Sequence, residues 1–153
     1  MTLDNTDKLI LKLIQSDASM PASEIAERVN LTQPPCWRRI KRLEEAGFII
    51  KRAGILDPKK LGLHLVIYAE VKLTANSELE AFEEEVKKIP EVTECYIMLG
   101  QVDFLLRIVT TDIAGYEKLY RDQLAKLPGL QELNSSVAMS EVKRSTDLPI
   151  TLN

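Results

Sequence analysis

The sequence has few histidines and cysteines, two residue types on which many metal sites and catalytic sites depend. It contains one histidine, His64, and two cysteines, Cys36 and Cys95, that lie far apart and form no CxxC pair. Two such cysteines do not build a disulfide framework or a zinc site. The GxSxG, HExxH, Walker and Rossmann patterns are all missing. We therefore expect a protein that is not an enzyme and that uses no metal or cofactor.

Long hydrophobic segments are also missing. No apolar run approaches the ~20 residues needed to span a bilayer, and the N-terminus lacks the basic-then-apolar pattern of a secretion signal. Of the 153 residues, 45% are hydrophobic and 28% are charged, which is typical of a globular protein. We expect a cytoplasmic protein without membrane contact. Its length accommodates two compact domains.

The net charge of −3 argues against nucleic-acid binding until its distribution is considered. Residues 33–52 carry six basic side chains against two acidic ones, whereas residues 58–153 carry eleven basic and fifteen acidic side chains. A basic patch on an otherwise acidic protein is typical of a phosphate-binding surface. On charge alone, a solvated helix face explains the patch equally well.

The first 47 residues predict three short helices. The first carries an apolar stripe around Leu9 and Leu13, and the second covers about residues 21–29. Thr32 is a suitable N-cap for the third helix, and Gly47 is suited to end it. A helix, a short turn and an arginine-rich helix form the helix-turn-helix pattern, although three-helix bundles without DNA function look alike.

The remaining residues up to 63 predict a wing and a linker. Residues 48–56 suggest a short β-hairpin, and residues 58–63, which begin with a proline and include a glycine, are the expected linker. We therefore expect residues 1–57 to form a winged helix-turn-helix domain that binds double-stranded DNA.

From His64 onward the hydrophobic pattern becomes that of a βαββαβ domain covering residues 64–153. The predicted elements are a strand at 64–74, a helix from a capping box at 77–80 to Pro90, strands at 92–99 and 103–110, a helix capped by Asp112, and a strand at 130–142. Similar junctions at residues 88–92 and 126–130 suggest two related halves. The expected fold class is α+β, with a ferredoxin-like sandwich following the winged helix.

One face of such a sheet carries no helices. The alternation places six apolar or aromatic side chains on it: Val66, Tyr68, Tyr96, Met98, Leu105 and Val109. This face is too apolar to remain in water, so we expect a homodimer formed through it.

A helical wheel of the third helix separates its core side from its DNA side. Cys36, Ile40 and Leu43 share one narrow arc, and Arg38 projects roughly opposite, where a recognition helix contacts bases. For Arg39, an internal ion pair is as plausible as DNA. The predicted DNA-contacting residues are Thr32, Gln33, Pro34, Trp37, Arg38, Lys41, Arg42 and Lys51.

These residues have different expected roles. Arg38 is the candidate for guanine recognition and Gln33 can also reach a base edge, whereas Lys41, Arg42 and Lys51 are candidates for phosphate contacts. Trp37 lies on neither side of the wheel, and packing against the wing or the first helix is the simpler interpretation for it.

The segment Leu99–Asp103 is the other candidate site. Glycine and aspartate are both common in the turns of β-hairpins, so this segment is explained as an ordinary turn. Alternatively, the backbone N–H groups suit a carboxylate and Asp103 suits an ammonium, which are the two ends of an amino acid. The residues alone favour the hairpin interpretation.

The sequence resembles the leucine-responsive regulatory protein (Lrp/AsnC) family over essentially its full length. The motifs that carry the resemblance are Leu3-Asp4-x-x-Asp7, Thr32-x-x-Pro35-Cys36-x-x-Arg39-x-x-x-Leu43-Glu44-x-x-Gly47, Gly100-x-x-Asp103-Phe104-Leu105-Leu106 and Met139-x-Glu141-x-Lys143.

The resemblance implies a regulator of amino-acid metabolism or transport that dimerises through its sheet and often assembles into a tetramer of dimers. It also implies an amino-acid effector bound between subunits near the second-to-third-strand turn. Carried onto this chain, the effector-binding residues are Leu99, Gly100, Gln101, Val102 and Asp103, faced by Ser135, Ser136 and Met139. Gln101 stands where the family often has an acid, which leaves fewer groups for the effector's ammonium.

Other interpretations remain open. An architectural, nucleoid-type DNA-binding protein would share the helix-turn-helix but would show no effector response. A stand-alone amino-acid sensor would share the second domain but would not need residues 1–57. A ferredoxin-like enzyme would need a phosphate-cradling loop after the first strand, which this sequence lacks.

Overall fold

The computed structural model describes residues 2–152, so Met1 and Asn153, the outermost residues of the two expected domains, lie outside the described residues. The chain forms two compact units. One comprises the described residues up to Ile55 together with those from Lys143 onward, and the other comprises Leu56–Val142. The break between Ile55 and Leu56 lies two residues before residue 57, at which the first domain was expected to end. The C-terminal segment, however, groups with this first unit, although it was expected to belong to the second domain.

Three helices form the core of the first unit, as the sequence predicts. They are α1 (Asn5–Ser16), α2 (Ala22–Arg28) and α3 (Gln33–Glu45). A reciprocal capping box starts α1, in which the Asp7 N–H donates to Asp4 Oδ1 at 2.7 Å and the Asp4 N–H donates to Asp7 Oδ2 at 3.3 Å. The helices bury one apolar cluster: Ile10, Ile14, Met20, Ile25, Ala26, Val29, Cys36, Ile40 and Leu43.

The turns around α3 follow the sequence signals. Asn30 adopts a positive φ of 55° between α2 and α3, and Gly47 adopts a φ of 77° after α3, where a residue without a β-carbon is favoured. Thr32 occupies the N-cap position of α3, but its side chain makes no capping hydrogen bond.

The hairpin expected at residues 48–56 is not formed. This segment contains no strand, and Ile50 is 91% exposed. The run Phe48-Ile49-Ile50 does not alternate with polar residues, and Ala53-Gly54 is not a pair that favours a tight hairpin turn. Nothing in the sequence therefore sets a register for two strands.

The second unit has the predicted βαββαβ order. Its elements are β1 (Leu65–Leu73), α4 (Leu79–Val86), β2 (Val92–Ile97), β3 (Phe104–Thr110), α5 (Ile113–Asp122) and β4 (Leu130–Val137). The strands form one antiparallel sheet in the order β2-β3-β1-β4. On the helix-covered face, Phe82 of α4 stacks on Phe104 of β3, with ring centroids 4.5 Å apart.

Several predicted boundaries were wrong. No capping box forms at Ser77, because Asn76–Glu78 makes a 3₁₀ turn and α4 begins at Leu79 without a side-chain cap. Helix α5 ends at Asp122, although the buried Leu124 and Leu127 continue its apolar stripe into a 3₁₀ turn. Strand β4 ends at Val137, five residues earlier than expected. Val137 is opposite Ile67 and β1 begins only two residues further on, at Leu65, so residues 140–142 have no partner on β1.

The strand register confirms most of the expected open face of the sheet. Val66 pairs with Val109, Tyr68 with Arg107, and Tyr96 with Leu105. Val109 is buried already in the single chain, and Met98 lies beyond the end of β2. Within residues 2–152, no helix combines the length and apolarity needed to cross a bilayer.

Candidate DNA interface and effector site

Helix α3 has one buried and one exposed side. Cys36, Ile40 and Leu43 face the core, and burial raises the pKa of the Cys36 thiol, which makes it a packing residue. The eight predicted DNA-contacting residues are all exposed: Thr32, Gln33, Pro34, Trp37, Arg38, Lys41, Arg42 and Lys51. The helix therefore presents a basic surface at its outer side and leading end.

Trp37 is more exposed than expected for a side chain that packs against the wing or the first helix. Its side chain is 51% exposed, and the Lys41 ammonium lies 6.0 Å from its ring centroid. Lys41 also pairs with Glu44 at 2.9 Å. The indole borders a shallow groove with Met20 and Pro21, which precede α2, and its outer half remains available to a ligand.

A buried carboxylate fixes α3 to α1. The side chain of Asp7 is only 1% exposed, and its Oδ1 accepts from Arg39 at 2.7 Å and from Arg42 at 2.9 Å. Arg42 also donates to Asp7 Oδ2 at 2.9 Å. Arg39 extends to Asp4 Oδ2 at 2.6 Å. Two arginines one turn apart thus hold two aspartates one turn apart.

This network settles the alternatives for Arg39 and refines the role of Arg42. Arg39 makes the internal ion pair, and its hydrogen bonds to Asp4 and Asp7 raise its pKa further. Arg42 is held by Asp7 yet remains 51% exposed, so part of its guanidinium still faces solvent. Sequence reasoning missed Asp7 as an anchor, although the matching spacings Asp4-x-x-Asp7 and Arg39-x-x-Arg42 contained the signal.

Two cations on this surface differ from the others. Arg38 and Lys51 have no ion-pair partner within residues 2–152, whereas Arg39, Lys41, Arg42 and Arg52 all contact carboxylates. An unpaired, exposed guanidinium in the N-terminal half of α3 has its full set of donors free for a base edge or a phosphate.

The β2–β3 turn is shaped chiefly by Asp103. Its N–H donates to Val71 O at 2.8 Å, its carbonyl accepts from Met98 at 2.9 Å, and its Oδ2 accepts from the Leu73 N–H at 2.7 Å. Gly100 adopts a φ of 153°, and Leu99 and Gln101 are exposed. The backbone bond between Met98 and Asp103 supports the hairpin interpretation, and one carboxylate oxygen of Asp103 is already engaged in attaching the turn to the end of β1.

A single chain does not bring the remaining predicted effector residues to this turn. Ser135 is opposite Ala69 and bonds to the Tyr116 hydroxyl on α5, whereas Ser136 is opposite Tyr68 on the open face. The turn lies at the other end of β1 and on the far side of it. With ~3.3 Å per residue and ~4.8 Å between strands, Ser136 is more than about 15 Å away. Met139 lies farther along, so these residues can face a β2–β3 turn only if it belongs to another subunit.

The open face contains a charged residue that sequence reasoning missed. Arg107 on β3 is only 7% exposed, and it donates to Thr93 Oγ1 at 2.8 Å. It stands in one row across the sheet with Glu94, Tyr68 and Ser136. The only sequence signal was a basic residue inside an otherwise apolar strand.

Comparisons with known proteins match both units. A family model described as the Lrp/AsnC ligand binding domain matches residues 66–148, and one described as winged helix-turn-helix DNA-binding matches residues 3–50. The DNA-binding transcriptional activator DecR of Escherichia coli (strain K12) is 38% identical over 97% of this chain and 99% of its own length. The proline dehydrogenase transcriptional activator of Rhodobacter capsulatus is 40% identical over 92% of each chain.

Solved structures show the same fold. A transcriptional regulator from Neisseria meningitidis, in complex with L-Met, superposes with a TM-score of 0.93 at 36% identity, and the match covers 97% of both chains. An AsnC family transcriptional regulator from Agrobacterium tumefaciens superposes with a TM-score of 0.91 at 37% identity, covering 96% of this chain and 97% of that one.

Proposed function

The chain belongs to the Lrp/AsnC family of DNA-binding transcriptional regulators, and we propose that it reads operator DNA with α3 under the control of an amino acid. Membership confirms the resemblance found in the sequence, together with the expected fold class and the expectation of a regulator instead of an enzyme. The observation that carries the proposal is the exposed basic side of α3, on which Arg38 is unpaired.

On DNA, α3 enters the major groove with its N-terminal half towards the bases. Arg38 donates to a guanine edge, and Thr32, Gln33, Pro34 and Trp37 line the contact around it. Lys41, Arg42 and Lys51 contact phosphates and thereby position the helix without reading sequence. Two observations support this arrangement: all eight of these side chains are exposed, and Asp7 anchors α3 to α1.

The effector is a small amino acid bound between subunits. The turn Leu99, Gly100, Gln101, Val102 and Asp103 of one subunit supplies backbone groups, and Ser135, Ser136 and Met139 come from another. The strand register supports a shared site, since one chain keeps the two sets apart. The L-Met complex of the Neisseria meningitidis regulator makes methionine the first amino acid to test.

The assembly we propose is a homodimer through the open face of the sheet, with further association into a tetramer of dimers. The exposed rings of Tyr68 and Tyr96 on that face support it, because aromatic side chains are enriched at interfaces. A two-fold dimer presents two α3 helices to half-sites ~34–36 Å apart, one turn of DNA. The protein acts in the cytoplasm, at the nucleoid.

Fluorescence anisotropy on the protein's own upstream DNA and on a scrambled duplex tests this function. The expected result is tighter binding to the upstream DNA and a shift in affinity with L-methionine or another member of an amino-acid panel. Equal, salt-sensitive binding to both duplexes, unchanged by every amino acid, would instead identify an architectural DNA-binding protein. The feature that favours an architectural protein is Gln101, which stands where the family often has an acidic residue.

A further inference from the structure

The C-terminal residues form a strap on the DNA-binding unit. We call residues 143–152 the strap; they follow β4 after a short connection but group with α1–α3. Gln15 of α1 fixes the strap through a reciprocal amide pair. Its Nε2 donates to Leu148 O at 3.1 Å, and its Oε1 accepts from the Leu148 N–H at 3.0 Å.

The surroundings of this pair are partly apolar. Lys12 and Gln15 of α1 lie beside Leu148, Pro149 and Ile150 of the strap, and Leu11 and Ile14 continue the contact surface. Leu148 nevertheless remains 70% exposed. A contact that buries so little and uses two solvent-accessible hydrogen bonds is weak, and it persists because the strap is tethered close to its binding surface.

The strap changes how the two units are connected. Without it, one covalent connection joins them, where Ile55 meets Leu56; with it docked, a second connection runs from Val142 to α1. Units joined by one flexible linker move independently by default, and a second attachment removes much of that freedom.

We propose that the strap is a releasable second tether, which restrains the DNA-binding unit when docked on Gln15 and frees it when released. The regulatory consequence rests on the proposed function. Because β4 carries Ser135 and Ser136 and only residues 138–142 separate it from the strap, an effector that binds β4 shifts the balance between docked and released strap. The strap is thus the route from effector to α3.

Two substitutions release the strap without touching either core. Gln15→Leu removes both partners of the amide pair on α1, and Leu148→Pro removes the N–H donor on the strap. Gln123→Leu is the matched control, since Gln123 is an exposed glutamine in the sheet unit. Trypsin cleavage after the exposed Lys143 and Arg144 reports whether the strap is released.

Trp37 is the only tryptophan of the chain and lies on α3, so its fluorescence anisotropy decay reports motion of the DNA-binding unit. In the full-length protein, we expect both variants to be cleaved at least threefold faster and to gain a faster nanosecond component in the decay. The control should match the wild type. Faster cleavage with an unchanged decay would overturn the tether, and so would unchanged cleavage in both variants.

A DNA-binding arm separates this proposal from the function on which its consequence rests. We expect both variants to bind the upstream DNA within threefold of wild type but to lose at least two thirds of the effector-induced change in affinity. A full effector response in variants with a released strap would overturn the regulatory role. A wild type without preference for upstream DNA would contradict the proposed function, and the Trp37 decay would still decide whether the tether exists.

Discussion

Helix α3 and strand β3 are central to their respective units, and different kinds of contact hold them. Strand β3 lies between β1 and β2 and buries Phe104, Leu106 and Ile108 under the helices. Helix α3 also has an apolar side, but Arg39 and Arg42 additionally bind the buried Asp7. Apolar contact is non-directional, whereas a guanidinium–carboxylate contact fixes geometry. Backbone hydrogen bonds to β1 and β2 set the register of β3, whereas the contacts of Arg39 and Arg42 with Asp7 set the orientation of α3.

The largest effect should come from removing apolar volume in the sheet unit. Phe82→Ala deletes a fully buried ring that stacks on Phe104, and we expect it to lower the free energy of unfolding by ~3–5 kcal/mol. Urea unfolding followed by circular dichroism measures this loss. Tyr120→Ala, on the more exposed side of α5, should cost less than about 1 kcal/mol.

Trp37 fluorescence then tells the two units apart. Because Trp37 belongs to the DNA-binding unit, its unfolding transition should keep the wild-type midpoint in Phe82→Ala. If the midpoints followed by circular dichroism and by Trp37 fluorescence shift by the same amount, the two units unfold together. The contacts of β3 and α3 would then contribute to one shared stability.

The next effect should come from breaking the ion network of α3. Asp7→Ala leaves Arg39 and Arg42 without their shared carboxylate, and we expect a loss of ~1–3 kcal/mol because hydrogen bonds to charged groups are strong when shielded from water. The transition followed by Trp37 fluorescence should move, with less effect on the sheet unit.

Glu24→Ala is the matched control for this network. It removes the exposed partner of Arg28, an i,i+4 pair whose contribution is ~0.3–0.5 kcal/mol. If the two variants are equally stable, burial adds nothing to the Asp7 contacts and the ionic anchor is not what holds α3.

A comparable effect, on DNA recognition instead of stability, distinguishes the unpaired from the paired cations. Arg38→Ala should reduce discrimination between upstream and scrambled DNA by ~1–3 kcal/mol with a small change in salt dependence. Lys41→Ala should weaken binding to both duplexes and reduce the salt slope by about one. Anisotropy titrations at several salt concentrations measure both quantities. Wild-type binding by both variants would remove α3 from the interface.

Local patterns predicted the elements but few of their tertiary partners. The alternation from His64 to Thr74 identifies β1 because one side of the strand is buried, and Thr32 and Gly47 bracket α3 because caps are local features. The partners of Asp7 depend on how α1 crosses α3, which no local pattern contains. The strap was missed for the same reason, since Gln15 and Leu148 are 133 positions apart.

The candidate sites were predictable to different degrees. Among the predicted DNA-contacting residues, periodicity alone places Arg38, Lys41 and Arg42 on the exposed side of α3. It does not place Trp37, which lies on neither side of the wheel, or Lys51, which lies beyond the helix. The effector residues come from two strands that lie apart in one chain, and the sequence pattern does not give their distance. A resemblance can name such residues, but only the strand register shows that one chain keeps the two sets apart.

The smallest expected effect is electrostatic. It tests whether the exposed contact between Arg39 and Asp4 contributes to the free energy of unfolding. The hydrogen bond from the Asp7 N–H, and then that from Arg39, lower the pKa of Asp4 below its ordinary value of 3.8. The unfolded chain therefore takes up the proton at higher pH than the folded chain does. The stability contributed by the Asp4 charge is complete when the pH is above 3.8, and it is lost as the pH falls through the lower pKa of Asp4 in the folded chain.

Asp4→Asn keeps a side-chain oxygen that can cap α1 but removes the charge, so it isolates this contribution. Denaturant titrations followed by Trp37 fluorescence should show the variant less stable than wild type at pH 6, with the difference vanishing as the pH is lowered below 3.8. Glu45→Gln, at an exposed position of α3 without an ion-pair partner within residues 2–152, serves as the control. A difference between Asp4→Asn and wild type that stays constant with pH would mean that Asn caps the helix less well and that the Arg39 contact to Asp4 is electrostatically silent. The anchor of α3 would then reside in the buried carboxylate of Asp7 alone.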